Sequence, residues 1–150
     1  MILTEATVLI DHVSTDSFAC IHELSQLLCQ IGYVNPEYGK LCCDRERLYP
    51  TGLPTKPFAI AIPHAEGLEV NESSLSVAIL RDPVNFQNMA DPEEALPVEV
   101  VLLMATKNPE EQVSTLQKLA EIFSSADELR ELRSQSSKKG VADWINQRLS

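Results

Sequence analysis

At 150 residues, 44% hydrophobic and 23% charged, the chain has the size and composition of one globular domain, able to bury roughly 70% of its unfolded surface. Twelve basic residues against 22 acidic ones give a formal charge of −10, which argues against a nucleic-acid binder and its basic stripe and fits a protein that meets basic protein partners. The opening MILTEATVLIDHVS lacks the basic start and apolar core of a signal peptide, and no apolar run reaches the roughly 18 to 20 residues needed to cross a bilayer.

One domain over residues 1–150 is expected, because neither an internal repeat nor a Gly/Ser linker interrupts the chain. Ala6–Ile10 (ATVLI) predicts a strand. Ser14 to Asp16 supplies a cap for a helix in which Phe18, Ile21, Leu24, Leu27, Leu28 and Ile31 keep helical spacing, with Gly32 closing it. Asn35-Pro36 predicts a cap and first turn for a second helix running to about Leu48. Four cysteines (Cys20, Cys29, Cys42, Cys43) fall in these helices without disulfide-scaffold or CxxC spacing. Free buried thiols, no metal site and a cytoplasmic location follow as expectations.

Tyr49 to Pro57, with three prolines and a glycine, reads as a loop. Strands are predicted at Phe58–Ile62, Leu75–Leu80 and Val98–Met104, the last so continuously apolar that both its faces should be covered. Asp82-Pro83 predicts a turn between the second and third of these, and residues 89–97 read as a loop. Asn108-Pro109, with Glu111 following, opens a helix whose predicted apolar face is Val113, Leu116, Leu119, Ala120 and Phe123. Helices at Ala126–Ser134 and Val141–Leu149 complete an α/β domain built on one central sheet.

His12, at a strand end, and His22, taken as half-buried on the first helix, read as ordinary structural histidines. His64 has a different setting. The strand Phe58–Ile62 stops at Pro63, which is expected to end the ladder and hold the imidazole at an open rim of the sheet, among small residues. A packing residue, a metal ligand, a general base and a nucleophile all suit that position. The chain has no GxSxG elbow, no GxxxxGK[ST] loop and no GxGxxG turn, so hydrolase and nucleotide-dependent chemistries lack their usual parts. Upstream lie the cations Arg45 and Arg47 and the hydroxyls of Thr51 and Thr55. This set suits an imidazole that attacks a phosphoryl group delivered by a partner. Taken singly, each has a plainer reading: helix-end cations favoured by the C-terminal dipole, and turn threonines.

The stretch RERLYPTGLPTKPFAIAIPH, Arg45 to His64, resembles the active-site segment of enzyme IIA domains of the bacterial phosphoenolpyruvate-dependent sugar phosphotransferase system. The likeness is to the fructose/mannitol-type superfamily, and PTGLPT resembles its galactitol branch. It continues through SSLSVAILRDPVNF and VEVVLLMATKNPEEQVSTLQKLAEIF, so it covers nearly the whole chain. The resemblance implies a mannitol-type fold, with a central mixed β-sheet flanked by helices on both faces. It implies that His64 accepts and passes on the phosphoryl group, that Arg45 helps to hold the site, and that Thr51 and Gly52 form the loop beside it. Gln112 stands where fructose/mannitol-type members carry a second histidine, and Ala65-Glu66 departs from the more usual small-polar or Gly pair. The implied partners are HPr as donor, enzyme IIB as acceptor through a cysteine, and indirectly the membrane enzyme IIC, with no nucleic acid, membrane insertion, metal or nucleotide cofactor. A regulatory phosphorylatable module of the same fold is the alternative.

Overall fold

The computed structural model describes residues 1–67 and 69–150. A five-stranded mixed sheet forms its centre, with strands β1 (Val8–His12), β2 (Gly52–Leu53), β3 (Ala59–Ala61), β4 (Ser74–Gln87) and β5 (Ala95–Ala105). Their spatial order is β1-β4-β5-β3-β2. β1 runs parallel to β4, β4 antiparallel to β5, β5 parallel to β3, and β3 antiparallel to β2. The α-helices among the described residues are α1 (Ser17–Gln30), α2 (Tyr38–Leu48), α3 (Pro109–Phe123), α4 (Ala126–Arg133) and α5 (Lys138–Leu149).

Strand residues alternate between faces, and each face finds its own helices. Ala78, Leu80, Val101 and Leu103 pack with Cys20, Ile21, Leu24, Leu28, Tyr38 and Cys42 of α1 and α2. Ile60, Val77, Val100 and Leu102 pack with Leu119, Phe123, Leu129, Leu132, Trp144 and Ile145 of α3, α4 and α5. The covered, near-continuously apolar strand is β5, between β4 and β3. Among the described residues, no helix is long and apolar enough to cross a membrane.

Several boundaries differ from the sequence expectation for identifiable reasons. The first strand begins at Val8, because Glu5–Thr7 forms a short 3-10 turn. Asp16 caps α1 by accepting from the Ala19 N–H at 2.8 Å, and Gly32 at φ +79° leaves that helix through the left-handed region. Asn35-Pro36 is a turn rather than the cap of α2. The Asn35 side chain accepts from the Glu37 N–H at 2.9 Å, and the helix starts only at Tyr38. Asp82-Pro83 is no turn between strands; it is a bulge inside the 14-residue β4, where pairing with β5 slips between Ile79 and Val84. The loop at 49–57 contains β2. There Gly52 is required by close approach, since a Cβ would lie 2.5 Å from the Gln87 carbonyl oxygen.

α3 is capped as expected by Asn108, which accepts from the Glu111 N–H at 2.8 Å with Pro109 in the first turn. Its buried face, however, is Gln112, Thr115, Leu119 and Phe123. Leu119 and Phe123 are buried as expected and Leu116 packs against the same core, but Val113 and Ala120 are exposed, and the polar Gln112 faces inward at the first turn. All four cysteines are free thiols. Burial pushes the Cys20 and Cys42 thiols up to about 12 and Cys43 to about 11.

Candidate functional site

His64 lies just past the end of β3, which is an inner strand between β5 and β2. Pro63 does not end the ladder as expected. Its carbonyl accepts from the Met104 N–H at 2.9 Å, and His64 pairs alongside Met104 of β5. A proline lacks only the donor half of a ladder pair, so the acceptor half persists. The imidazole is therefore buried, 5% exposed, at a strand end rather than standing open at a sheet rim.

Its Nδ1 is 2.8 Å from the Ile62 carbonyl oxygen. A carbonyl only accepts, so Nδ1 carries the hydrogen and Nε2 keeps its lone pair in the neutral ring. Burial lowers the His64 pKa below the usual 6.5, and the positive charge of Arg45 lowers it further; the Ile62 bond and the Glu66 carboxylate act in the opposite direction.

Two side chains without a sequence-level assignment hold the histidine segment. Tyr38, buried at the start of α2, donates its O–H to the Met104 carbonyl at 2.7 Å and accepts from the Ala65 N–H at 3.2 Å. It thereby pins the residue after His64 to β5. Glu46 is also buried; its two carboxylate oxygens each accept at 2.8 Å, one from the Thr51 N–H and one from the Thr51 hydroxyl. Burial raises the Glu46 pKa, and the two Thr51 donors oppose that rise. The Thr51 carbonyl in turn accepts from the Ile62 N–H at 3.4 Å. A hydrogen-bonded path thus leads from Glu46 through Thr51 and Ile62 to the imidazole.

The threonine hydroxyls expected beside a phosphoryl group both have protein partners in this structure. Thr51 Oγ1 is committed to Glu46, and Thr55 Oγ1 donates to the Phe58 carbonyl at 2.7 Å. Both threonines position backbone. Arg45 is different, with charge to spare. Its guanidinium lies 5.3 Å from the Tyr49 ring centre, its Nη1 is 4.0 Å from Glu66, and among the described residues its buried Nε has no acceptor. A buried, unpaired N–H is costly unless something binds it. Arg47 stacks on Phe18 at 4.4 Å and pairs with Asp44 at 3.0 Å.

Gln112 is buried in the first turn of α3. Its Oε1 lies 3.4 Å from the Thr106 hydroxyl, and among the described residues its amide nitrogen has no protein acceptor. It lines a small cleft of about 40 Å³ with Glu66, Gly67, Thr106 and Asn108. The structure thus gathers His64, Arg45 and Glu66, and sets Gln112 across the cleft that Glu66 shares. No bond joins Gln112 to His64 among the described residues. His12 contacts Glu23 at 2.8 Å instead, and His22 is exposed on α1 rather than half-buried. Among the described residues, no three His, Cys, Asp or Glu side chains gather as a metal-binding group.

The sequence matches the family described as phosphoenolpyruvate-dependent sugar phosphotransferase system, EIIA 2, over residues 1–148. The chain belongs to that family. A galactitol-specific EIIA component of Escherichia coli (strain K12) is 31% identical over 85 residues, a stretch covering 57% of this chain and 56% of that relative. The transcriptional regulator ManR of Bacillus subtilis is 29% identical over 105 residues, 70% of this chain but 14% of the regulator. The chain therefore spans only part of the length of each of these curated relatives. The fold is that of mannitol-type IIA domains. The enzyme IIA of the Escherichia coli complex between IIA mannitol and phosphorylated IIB mannitol superposes with a TM-score of 0.78 at 20% identity, covering 95% of this chain and 96% of that one.

Within this EIIA 2 chain, Tyr38 and Glu46 are the residues that sequence reasoning missed. A tyrosine at a helix start reads as core, and the middle residue of Arg-Glu-Arg reads as solvated. The only signal available was Glu46 standing between two arginines and five residues ahead of Thr51.

Proposed function

We propose that this chain is a phosphocarrier enzyme IIA that accepts a phosphoryl group from phospho-HPr on His64 Nε2 and passes it to a cysteine of a cognate enzyme IIB. The galactitol-specific relative supports galactitol or a related sugar as the transported substrate, taken up through the membrane enzyme IIC. The reading rests above all on the 2.8 Å Nδ1–Ile62 bond, which leaves one lone pair on the ring and a proton on the nitrogen that does not react. In the first exchange the Nε2 pair forms the new N–P bond, while the pair of the breaking bond returns to the donor's imidazole. In the second, a thiolate of IIB forms the S–P bond and the N–P pair returns to Nε2. Each transfer is a displacement between side chains, so this protein contributes placement and charge. Arg45, with its unspent Nε, is the charge stabiliser. The complex of a mannitol IIA with phosphorylated IIB supports the choice of acceptor partner.

Incubation with phosphoenolpyruvate, enzyme I and HPr tests the proposal. An acid-labile, base-stable phosphate is expected on the intact protein and none on His64→Ala; label persisting on that variant overturns the assignment. The likeness to ManR favours a second reading, in which the phosphorylation state of the same histidine governs a partner's binding. Transfer of label onward to a IIB cysteine separates the two.

A further inference from the structure

Glu66 is two residues beyond His64 and largely exposed, with 73% of its side chain open to solvent. It nevertheless faces the cation beside the histidine, its Oε1 4.0 Å from Arg45 Nη1. That distance is the outer limit of an ion pair, and an exposed pair of this kind holds its partners together by at most about fivefold. Besides Glu66, Arg45 has the Tyr49 ring 5.3 Å away, and among the described residues its buried Nε has no acceptor. An arginine so placed is restrained by a weak, replaceable anion.

Resting on the phosphocarrier reading above, we propose that Glu66 is a counter-charge that Arg45 exchanges for the phosphoryl group. In the unphosphorylated protein Glu66 occupies the guanidinium. Once His64 carries the phosphoryl group, Arg45 turns its donors to the phosphoryl oxygens, which offer two negative charges and a geometry matching the guanidinium fork. The transfer forms the Nε2–P bond as the donor's N–P bond breaks, so it adds the phosphoryl charge to a rim where Glu66 has just lost its partner. The unpaired carboxylate then stands beside a dianion. That repulsion destabilises the phosphorylated form and makes it a stronger donor to the next protein. It also leaves the docking rim more negative in the charged state than in the discharged one. Glu66 is thus a residue that sets the transfer equilibrium rather than one that touches the reacting atoms.

The test measures how the phosphoryl group partitions between HPr and this protein at equilibrium, for wild type and Glu66→Gln, at low and at high salt. The Gln variant keeps the side chain's size and removes its charge. Its partition is expected to shift toward the phosphorylated IIA by about three- to tenfold at low salt, and the difference should shrink as salt screens the exposed charge. Glu66→Lys should shift it further in the same direction, and Glu66→Asp should stay near wild type. The thermal unfolding midpoint of Glu66→Gln should not move, as a merely structural role would require it to. Equal partition for wild type, Gln and Lys, with label on His64, overturns the Glu66 proposal and leaves the phosphocarrier reading intact. No label on any variant, wild type included, overturns both.

Discussion

His64 Nδ1 and the Ile62 carbonyl oxygen, 2.8 Å apart, fix which nitrogen of the imidazole is free. The bond lies within one short segment, between residues two apart on a chain that keeps pairing with β5 through Pro63 and His64. Phosphorylation should therefore fall on Nε2. In a nitrogen-15 spectrum of the phosphorylated protein, Nε2 should bear the phosphorus coupling while Nδ1 keeps its proton. A phosphate on Nδ1 would require the Ile62 bond to break and would refute this tautomer.

The pH dependence has a defined sign. Burial, followed by the Arg45 charge, lowers the His64 pKa below 6.5, so the ring is neutral and able to attack throughout the range above that value. The unfolded chain takes up this proton at a higher pH than the folded chain does. Stability should consequently fall as pH drops from about 6.5 through the folded pKa, and be flat with respect to this group above 6.5. A proton titration of the His64 Cε1–H should show a midpoint below 6.5, and His64→Gln should lose that limb of the stability curve. A midpoint at or above 6.5 would mean that the site is wetter or more acidic than its geometry implies.

Thr51 and Glu46 make a buried, doubly hydrogen-bonded pair, and the role expected of it is mechanical. Thr51→Val keeps the branched shape, removes the hydroxyl and leaves one Glu46 oxygen without its 2.8 Å donor. A cost of about 1–3 kcal/mol is expected, seen as a drop of several degrees in melting temperature. Thr51→Ser, which restores the donor, should recover most of that loss. Because Thr51 is linked to His64 through the Ile62 backbone, labelling of folded Thr51→Val should be slowed rather than abolished. Complete loss of labelling without loss of stability would mean that the hydroxyl faces the phosphoryl group after all.

How legible these features were in the sequence depended on how local their causes are. The caps at Asp16 and Asn108, the exit at Gly32 and the doubly covered β5 follow from residues close together, and all were readable. The continuation of β4 through Asp82-Pro83 was not, because only its partner β5 shows that these residues form a bulge within pairing that resumes at Val84. His64 and Arg45 stood out through a specific motif. Tyr38 and Glu46 did not, since their meaning comes from what the fold sets against them: Met104 and Ala65 for the phenol, and the turned-back Thr51 for the carboxylate. The burial of Gln112 and exposure of Val113 reversed a hydrophobicity-based expectation. Helical periodicity locates a stripe to within about one position, and a polar residue facing a cleft is invisible to it.

Gln112 supplies the last prediction. Its buried side chain has its oxygen near the Thr106 hydroxyl at 3.4 Å, and among the described residues its amide nitrogen has no protein acceptor beside the cleft it shares with Glu66. An amide in that state can donate to an anion without having to charge or discharge. If it donates to a phosphoryl oxygen, Gln112→Leu should fold normally and bind HPr, yet accept phosphoryl several-fold more slowly, because one donor is lost from the transition state. Gln112→His should retain labelling above pH 7 as a neutral donor, and should add a titration below that pH that the glutamine protein lacks. Single-turnover rates from phospho-HPr across pH 6 to 8 distinguish the outcomes. Rates for the Leu variant equal to wild type would show that Gln112 merely fills space at the start of α3, whereas a slowed Leu variant alongside an active His variant would show that a hydrogen-bond donor is what this position must provide.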